Sequence, residues 1–255
     1  MKHDEITFDS HGTTCAARHW TGAGSALESD AGRPVVVMAH GLAGTVDSGL
    51  VPFAEALAEA GMDVVAFDYR GFGASQGSPR QRVRVADQVD DYRAAVTAAQ
   101  RLPGVDASRV VLWGVSLAGG HVLQVATGRD DVAAVVSLTP LVDGLAAARH
   151  AVGHHRPSTM LRSTVSGVRS RVSGARGGRP VTMPVVARPG EVGALTLEGC
   201  YEDYLSIAGP TWVNEVDADV ALELGSRDAA KAAKQLRVPM LVQIADFDRS
   251  APPRA

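Results

Sequence analysis

Between residues 34 and 138 the chain alternates short, nearly unbroken apolar runs with longer stretches of mixed polarity. The runs are 34–39 (PVVVMA), 62–67 (MDVVAF), 108–113 (SRVVLW) and 132–138 (VAAVVSL). Runs this short and this apolar are expected of strands covered on both faces. The intervening segments predict helices over 51–60, 83–102 and 117–127. In the first of these, Phe53, Leu57 and Ala60 share one side and Gly61 can stop the helix. Upstream, 6–9 and 13–20 flank the turn Ser10-His11-Gly12 and predict an antiparallel hairpin at a sheet edge, followed by a Gly/Ala/Ser-rich loop over 21–33. Strands joined by helical crossovers imply an α/β fold with a mostly parallel central sheet covered by helices. In such a sheet the connecting loops gather at one edge, where ligands are held.

The rhythm lapses from Asp143 to about residue 236. No acidic residue occurs between Asp143 and Glu191, while eight arginines run from Arg149 to Arg188. This stretch reads as an insertion after the sixth strand, partly helical, placed to cap the active-site edge. Its basic character would favour acidic substrates. The expected organisation is therefore a core over 1–142, a cap or lid over 143–210, and the core resumed over 211–255. Within the last part, 214–224 and 226–236 predict two helices or one interrupted at Gly225, and 238–244 (VPMLVQI) predicts a final strand.

Composition narrows the function classes. With 45% hydrophobic and 21% charged residues the chain is an ordinary globular one. Its formal net charge of −3 and sparse aromatics give no reason to expect a nucleic-acid partner. Cys15 and Cys200, the two cysteines, lack companions at metal-ligand spacing and suit free thiols in a reducing compartment. No apolar run follows Lys2, so no secretory signal is expected. Nor is there an uncharged apolar stretch of the roughly 18 residues that a membrane span needs. A cytoplasmic protein with no membrane partner is the expectation.

The chemistry centres on Trp113-Gly114-Val115-Ser116-Leu117-Ala118-Gly119-Gly120, where a strand ends and a helix begins. A serine nucleophile there stands on a tight turn, and small residues two before and two after it relieve crowding. Gly114 and Ala118 hold those places, although the usual pattern has Gly at the second. The strand 34–39 runs into His40-Gly41-Leu42-Ala43-Gly44, a loop flexible enough to bring an amide close. The backbone N–H groups of Leu42 and Leu117 are thus the expected oxyanion donors. His40 reads as a brace for its loop. The segment 67–75 (FDYRGFGAS) lacks dinucleotide-binding spacing and reads as structural, with Asp68 and Arg70 satisfying one another or nearby backbone.

Activating a serine takes a base and an acid that orients it. Asp248, past the strand 238–244, is the first choice for the acid, with Asp246 and Asp143 as alternatives. No histidine follows it. Of those before it, His121 sits inside the helix after Ser116, and His150, His154 and His155 fall in the insertion. His150 and His154 share the i, i+4 spacing of a zinc-binding helix but lack its Glu, so neither a metal nor a cofactor is expected.

Together the segments 34–44, 64–77, 110–123 and 238–253 resemble the α/β-hydrolase superfamily. Within it they are similar to bacterial serine-aminopeptidase-like and dienelactone-hydrolase-like enzymes. The resemblance implies a serine hydrolase acting on a small-molecule ester, thioester or amide, with Ser116 as nucleophile, Asp248 as acid, and Leu42 and Leu117 as oxyanion donors. It also implies a continuation beyond the acid, in which a helix, a last strand, a loop bearing the catalytic histidine and a closing helix follow. Without these the strand 238–244 would be an exposed apolar edge through which copies could associate. The missing histidine keeps a second reading open, that of a catalytically impaired or non-catalytic binding module.

Overall fold

The computed structural model describes residues 1–152, 157–225 and 227–248, with side chains over 150–160 left aside. Strands β1 (Asp4–Ser10) and β2 (Thr13–Trp20) form the expected hairpin. They are followed by β3 (Arg33–Ala39), α1 (Val51–Glu59), β4 (Asp63–Phe67), α2 (Val85–Ala99) and β5 (Val105–Val115). Next come α3 (Leu117–Ala126), β6 (Val132–Leu138), α4 (Gly144–Val152), α5 (Pro157–Ala175) and β7 (Thr182–Met183). The chain continues through α6 (Cys200–Ile207), β8 (Val216–Asp217), α7 (Val220–Gly225), α8 (Ala230–Ala233) and β9 (Met240–Gln243).

Seven of these strands make one sheet in the order β1-β2-β4-β3-β5-β6-β9. Pairings from β4 through β9 are parallel, and β1 and β2 add an antiparallel edge. The reason the central runs are wholly apolar is visible in β3. Val35, Val37 and Ala39 join the core on one face, with Phe67, Tyr92 and Leu112. Val36 and Met38 join a second core with Trp20, Ala54 and Trp113 on the other. At the far edge, β9 pairs only with β6 among the described strands, and its four residues are exposed.

Two helical expectations change. The buried face of α1 is Ala54 and Ala58, small enough to bring the helix close to the sheet, whereas Phe53 is half exposed, 5.3 Å from the Trp113 ring. Gly61, at φ +97°, does end that helix. The segment 214–236 holds two short helices, because β8 pairs with β7 and takes up its first residues. The small β7–β8 sheet straddles residue 210, where the insertion was expected to end. No helix among the described residues is long and apolar enough to cross a membrane.

Candidate active site

Ser116 lies at the junction of β5 and α3 with φ +56° and ψ −115°, a conformation that a residue with a side chain rarely adopts. Three backbone hydrogen bonds hold it there. Its N–H donates to Leu138 O (2.8 Å), and its carbonyl accepts from Leu141 N (3.0 Å) and Gly120 N (3.3 Å). A Cβ at Gly114 would stand 2.3 Å from Ala118 O, so the turn demands glycine at 114. Ala118 itself is accommodated, fully buried.

The loop after β3 passes directly against this turn, since a Cβ at Gly41 would be 3.1 Å from Ser116 Cβ and 3.5 Å from its Oγ. Ala43 takes a left-handed φ of +50°. Leu117 is the first residue of α3, where an amide has no intrahelical acceptor. Neither its N–H nor that of Leu42 has an intramolecular acceptor among the described residues. Asp68 braces the loop from behind by accepting the N–H groups of Val46 (2.7 Å) and Ala74 (2.9 Å). Burial pushes its carboxyl up to about 6 despite those two donors. Arg70 does not pair with Asp68. Its guanidinium reaches Asp91 on α2 (2.7 Å) and Ser10 (2.9 Å), where a buried carboxylate needs a cation more than the amide-satisfied Asp68 does.

Ser116 opens into a cavity of about 510 Å³ that Asp248 also lines. The core contributes Leu42, Leu50 and Leu117 to its walls, and the chain between β6 and β9 contributes Leu195, Ile207 and Leu224. Among the described residues no lysine or arginine lines it. Among the described residues, the expected attraction of acidic substrates by a basic cap is therefore not built into the cavity. Arg162, Arg169, Arg176 and Arg179 point to solvent, where a guanidinium keeps its hydration.

Of the three candidate acids, Asp248 is half-buried on the cavity wall, in the turn after β9. Asp246 is exposed. Asp143 is occupied at the start of α4, where it accepts the Ala146 N–H (2.9 Å).

Five histidine side chains are described, and each has other contacts. His3 lies 3.3 Å from Glu5, His11 3.8 Å from Asp90, and buried His19 2.9 Å from Asp63. His40 lines the cavity, but its Nδ1 pairs with Gly41 O (3.0 Å) and its ring packs edge-on against Tyr69. Burial lowers its pKa to about 4. His121 is buried in α3, its Nε2 3.0 Å from Gln88 Oε1. Burial, then the charge of Arg227, hold it well below the usual histidine range. The side chain of His150, together with His154 and His155, lies outside the described residues. Among the described residues no group of three or more His, Cys, Asp or Glu could hold a metal ion.

Sequence reasoning did not single out Tyr204. This α6 residue lines the cavity and donates its hydroxyl to Leu42 O. Its neighbourhood carries no motif, so only the tertiary contact reveals it.

Comparison with known proteins agrees with this geometry. The model of the alpha/beta hydrolase fold family matches residues 34–178. The chain is 32% identical over 250 residues to the quorum-quenching protein AidA of Acinetobacter baumannii, covering 97% of this chain and 79% of that one. It is also 32% identical over 162 residues to the thiohydrolase aneE of Aspergillus aculeatus, covering 63% of this chain and half of that one. Among solved structures, the alpha/beta hydrolase GrgF of a Penicillium species superimposes with a TM-score of 0.78 at 22% identity, over 99% of this chain and 83% of that one. The sheet order, the strained serine at the strand-to-helix turn and the family match together place this chain in the α/β-hydrolase family.

Proposed function

We propose that the protein is a serine hydrolase that cleaves carboxylic ester, thioester or amide bonds through an acyl-enzyme at Ser116. The observation that carries this reading is the strained Ser116 turn, opening beside two unpaired amides into an apolar cavity. Strain at such a turn is retained where it serves a site. In the reaction Ser116 Oγ bonds to the carbonyl carbon while its proton passes to a base. Negative charge moves to the carbonyl oxygen, which the N–H groups of Leu42 and Leu117 stabilise. Collapse expels the leaving group with a proton from the base, and water then releases the acid by the same steps in reverse order. Asp248 is assigned the carboxylate that orients the base, which is not among the five described histidine side chains. The likeness to a thiohydrolase favours including the thioester among the bonds cleaved. Apart from Asp248, the described wall residues are uncharged, which favours a small, neutral acyl substrate.

Intact mass spectrometry after treatment with a fluorophosphonate tests the assignment. Labelling of the wild-type protein that Ser116→Ala abolishes is the expected result. Absence of labelling in both sinks it and favours a ligand-binding module. The observation behind that second reading is that every described histidine has a partner other than Ser116, His40 at the cavity included.

A further inference from the structure

Helix α5 is mounted with its apolar side outward. Leu161, Val165, Val168 and Val172 recur at spacings of four, three and four, which puts them on one face of a helix. That face is exposed, at 65%, 47%, 48% and 43% respectively. The opposite side meets the protein through Gly167, whose Cβ would stand 2.8 Å from Ala218 O, and through Ser170, which donates to Asp217 (2.7 Å). Four aliphatic side chains in a row on an exposed helix are an unpartnered surface rather than scattered exposure.

Charge indicates what covers it. Arg162 and Arg169 each follow a stripe residue, and Arg176 lies just beyond the helix end. All three are exposed, and no ion pair is recorded for them among the described residues. The carboxylates that contact this helix, Asp217, Asp219 and Glu223, are engaged instead by Arg82, Arg84 and Arg171. From residue 144 to 190 the chain has eight arginines and no acidic residue. A second copy laid face to face on this stripe would set arginine against arginine, so self-association is disfavoured. An apolar stripe flanked by arginines fits a surface that offers anionic headgroups above an apolar layer.

We propose that α5 docks the protein reversibly on anionic membrane surfaces, with Leu161, Val165, Val168 and Val172 seated in the headgroup boundary and Arg162, Arg169 and Arg176 on the phosphates. The absence of a spanning segment, which led to the expectation of no membrane partner, does not bear on this, since surface docking needs none. Ser163 and Thr164 of the same helix line the Ser116 cavity, so docking would leave that cavity behind α5, one helix away from the lipid surface. The inference stands on exposure and charge and does not depend on Ser116 being reactive.

Co-sedimentation with vesicles tests it, using phosphatidylcholine alone and phosphatidylcholine mixed with phosphatidylglycerol. The expected result is binding to the mixed vesicles only, weakened by salt. Arg162→Gln with Arg169→Gln should weaken it about thirtyfold, on the basis of the contribution of a basic residue at an anionic surface. Val165→Ser with Val168→Ser should weaken it independently. All four positions face solvent, so circular dichroism should be unchanged. Equal binding to both vesicle types, no binding to either, or indifference to both double variants overturns the proposal. A stripe variant that alters the sedimentation-derived mass but not vesicle binding also overturns it, in favour of a second copy.

Discussion

The hydroxyl of Tyr204 donates to the carbonyl of Leu42, tying α6 to the loop that passes over Ser116 from 162 positions away in sequence. The peptide it grips precedes Ala43, whose left-handed φ costs on the order of 1 kcal/mol. Tyr204 is thus a positioning residue for the Leu42 amide proposed to bind the oxyanion. Tyr204→Phe keeps the ring, its packing on Trp212 and its cavity wall, and removes only this bond. Fluorophosphonate labelling of Ser116 should slow by about tenfold, less than the loss on deleting an oxyanion donor outright. Reagent affinity should be unchanged. A variant that labels at the wild-type rate, or loses only affinity, removes the role given to Tyr204.

Gly114 and Ala118 illustrate a stricter kind of constraint. A Cβ at 114 would meet backbone, which cannot swing aside as a flexible side chain would. Gly114→Ala should therefore cost about 1 to 3 kcal/mol, as overpacking does, and should abolish labelling by displacing Ser116. Ala118→Gly opens no clash, and its cost should stay near the 1 kcal/mol of a glycine inside a helix. Urea denaturation of the two variants gives the comparison. Equal destabilisation would mean that crowding at 114 does not hold the turn.

The central strands were legible because residues buried on both faces of a sheet must all be apolar, as β3 is. The Ser116 turn was legible because its backbone geometry restricts the residue types around it. Partners chosen across the fold were not. Arg70 has Asp68 two positions away, yet it pairs with Asp91 on α2, and nothing local distinguishes the two. Direction was also hidden. Periodicity groups Leu161, Val165, Val168 and Val172 on one face of α5 but cannot say that this face looks outward. The described arginines between 149 and 188 showed their sign without showing that they avoid the cavity.

Acidification should destabilise the protein through its buried histidines. His40 and His121 have folded-state pKa values below the ordinary 6.5, mainly because burial penalises the cation. The unfolded chain then binds protons that the folded one refuses, so stability is fully present above pH 6.5 and is lost as pH falls toward about 4. Asp68 acts the other way. Its folded pKa of about 6 exceeds the ordinary 3.8, so it contributes stability that grows as pH falls through 6. Two histidines against one carboxylate give a net loss. Asp68→Asn should steepen the decline relative to its own neutral-pH value. Urea midpoints measured stepwise across this window check both statements. A flat or rising midpoint on acidification contradicts the first, and an unchanged slope in Asp68→Asn contradicts the second.

Asp219 is the junction at which the chain between β6 and β9 is fastened to the core. Its buried carboxylate receives Arg84, at the start of α2, through two hydrogen bonds of 2.9 and 2.6 Å, and Arg171 of α5 approaches at 3.5 Å. The two cations differ in their surroundings. Arg84 is largely enclosed, while half of the Arg171 side chain is exposed, and both also approach Glu223. The Arg84 guanidinium also keeps the Asp219 carboxyl below its ordinary range against the opposing effect of burial. Removing one member of an enclosed pair strands the other, at a cost of about 3 to 5 kcal/mol. An exposed pair is worth about 1 kcal/mol or less. Asp219→Ala should therefore lower the urea-derived stability several times more than Arg171→Ala. Because Arg84 and Asp219 come from different parts of the chain, the loss should be accompanied by faster proteolysis between residues 157 and 225. If the two variants lose the same stability, enclosure of the Arg84 pair is not what fastens this segment to the core.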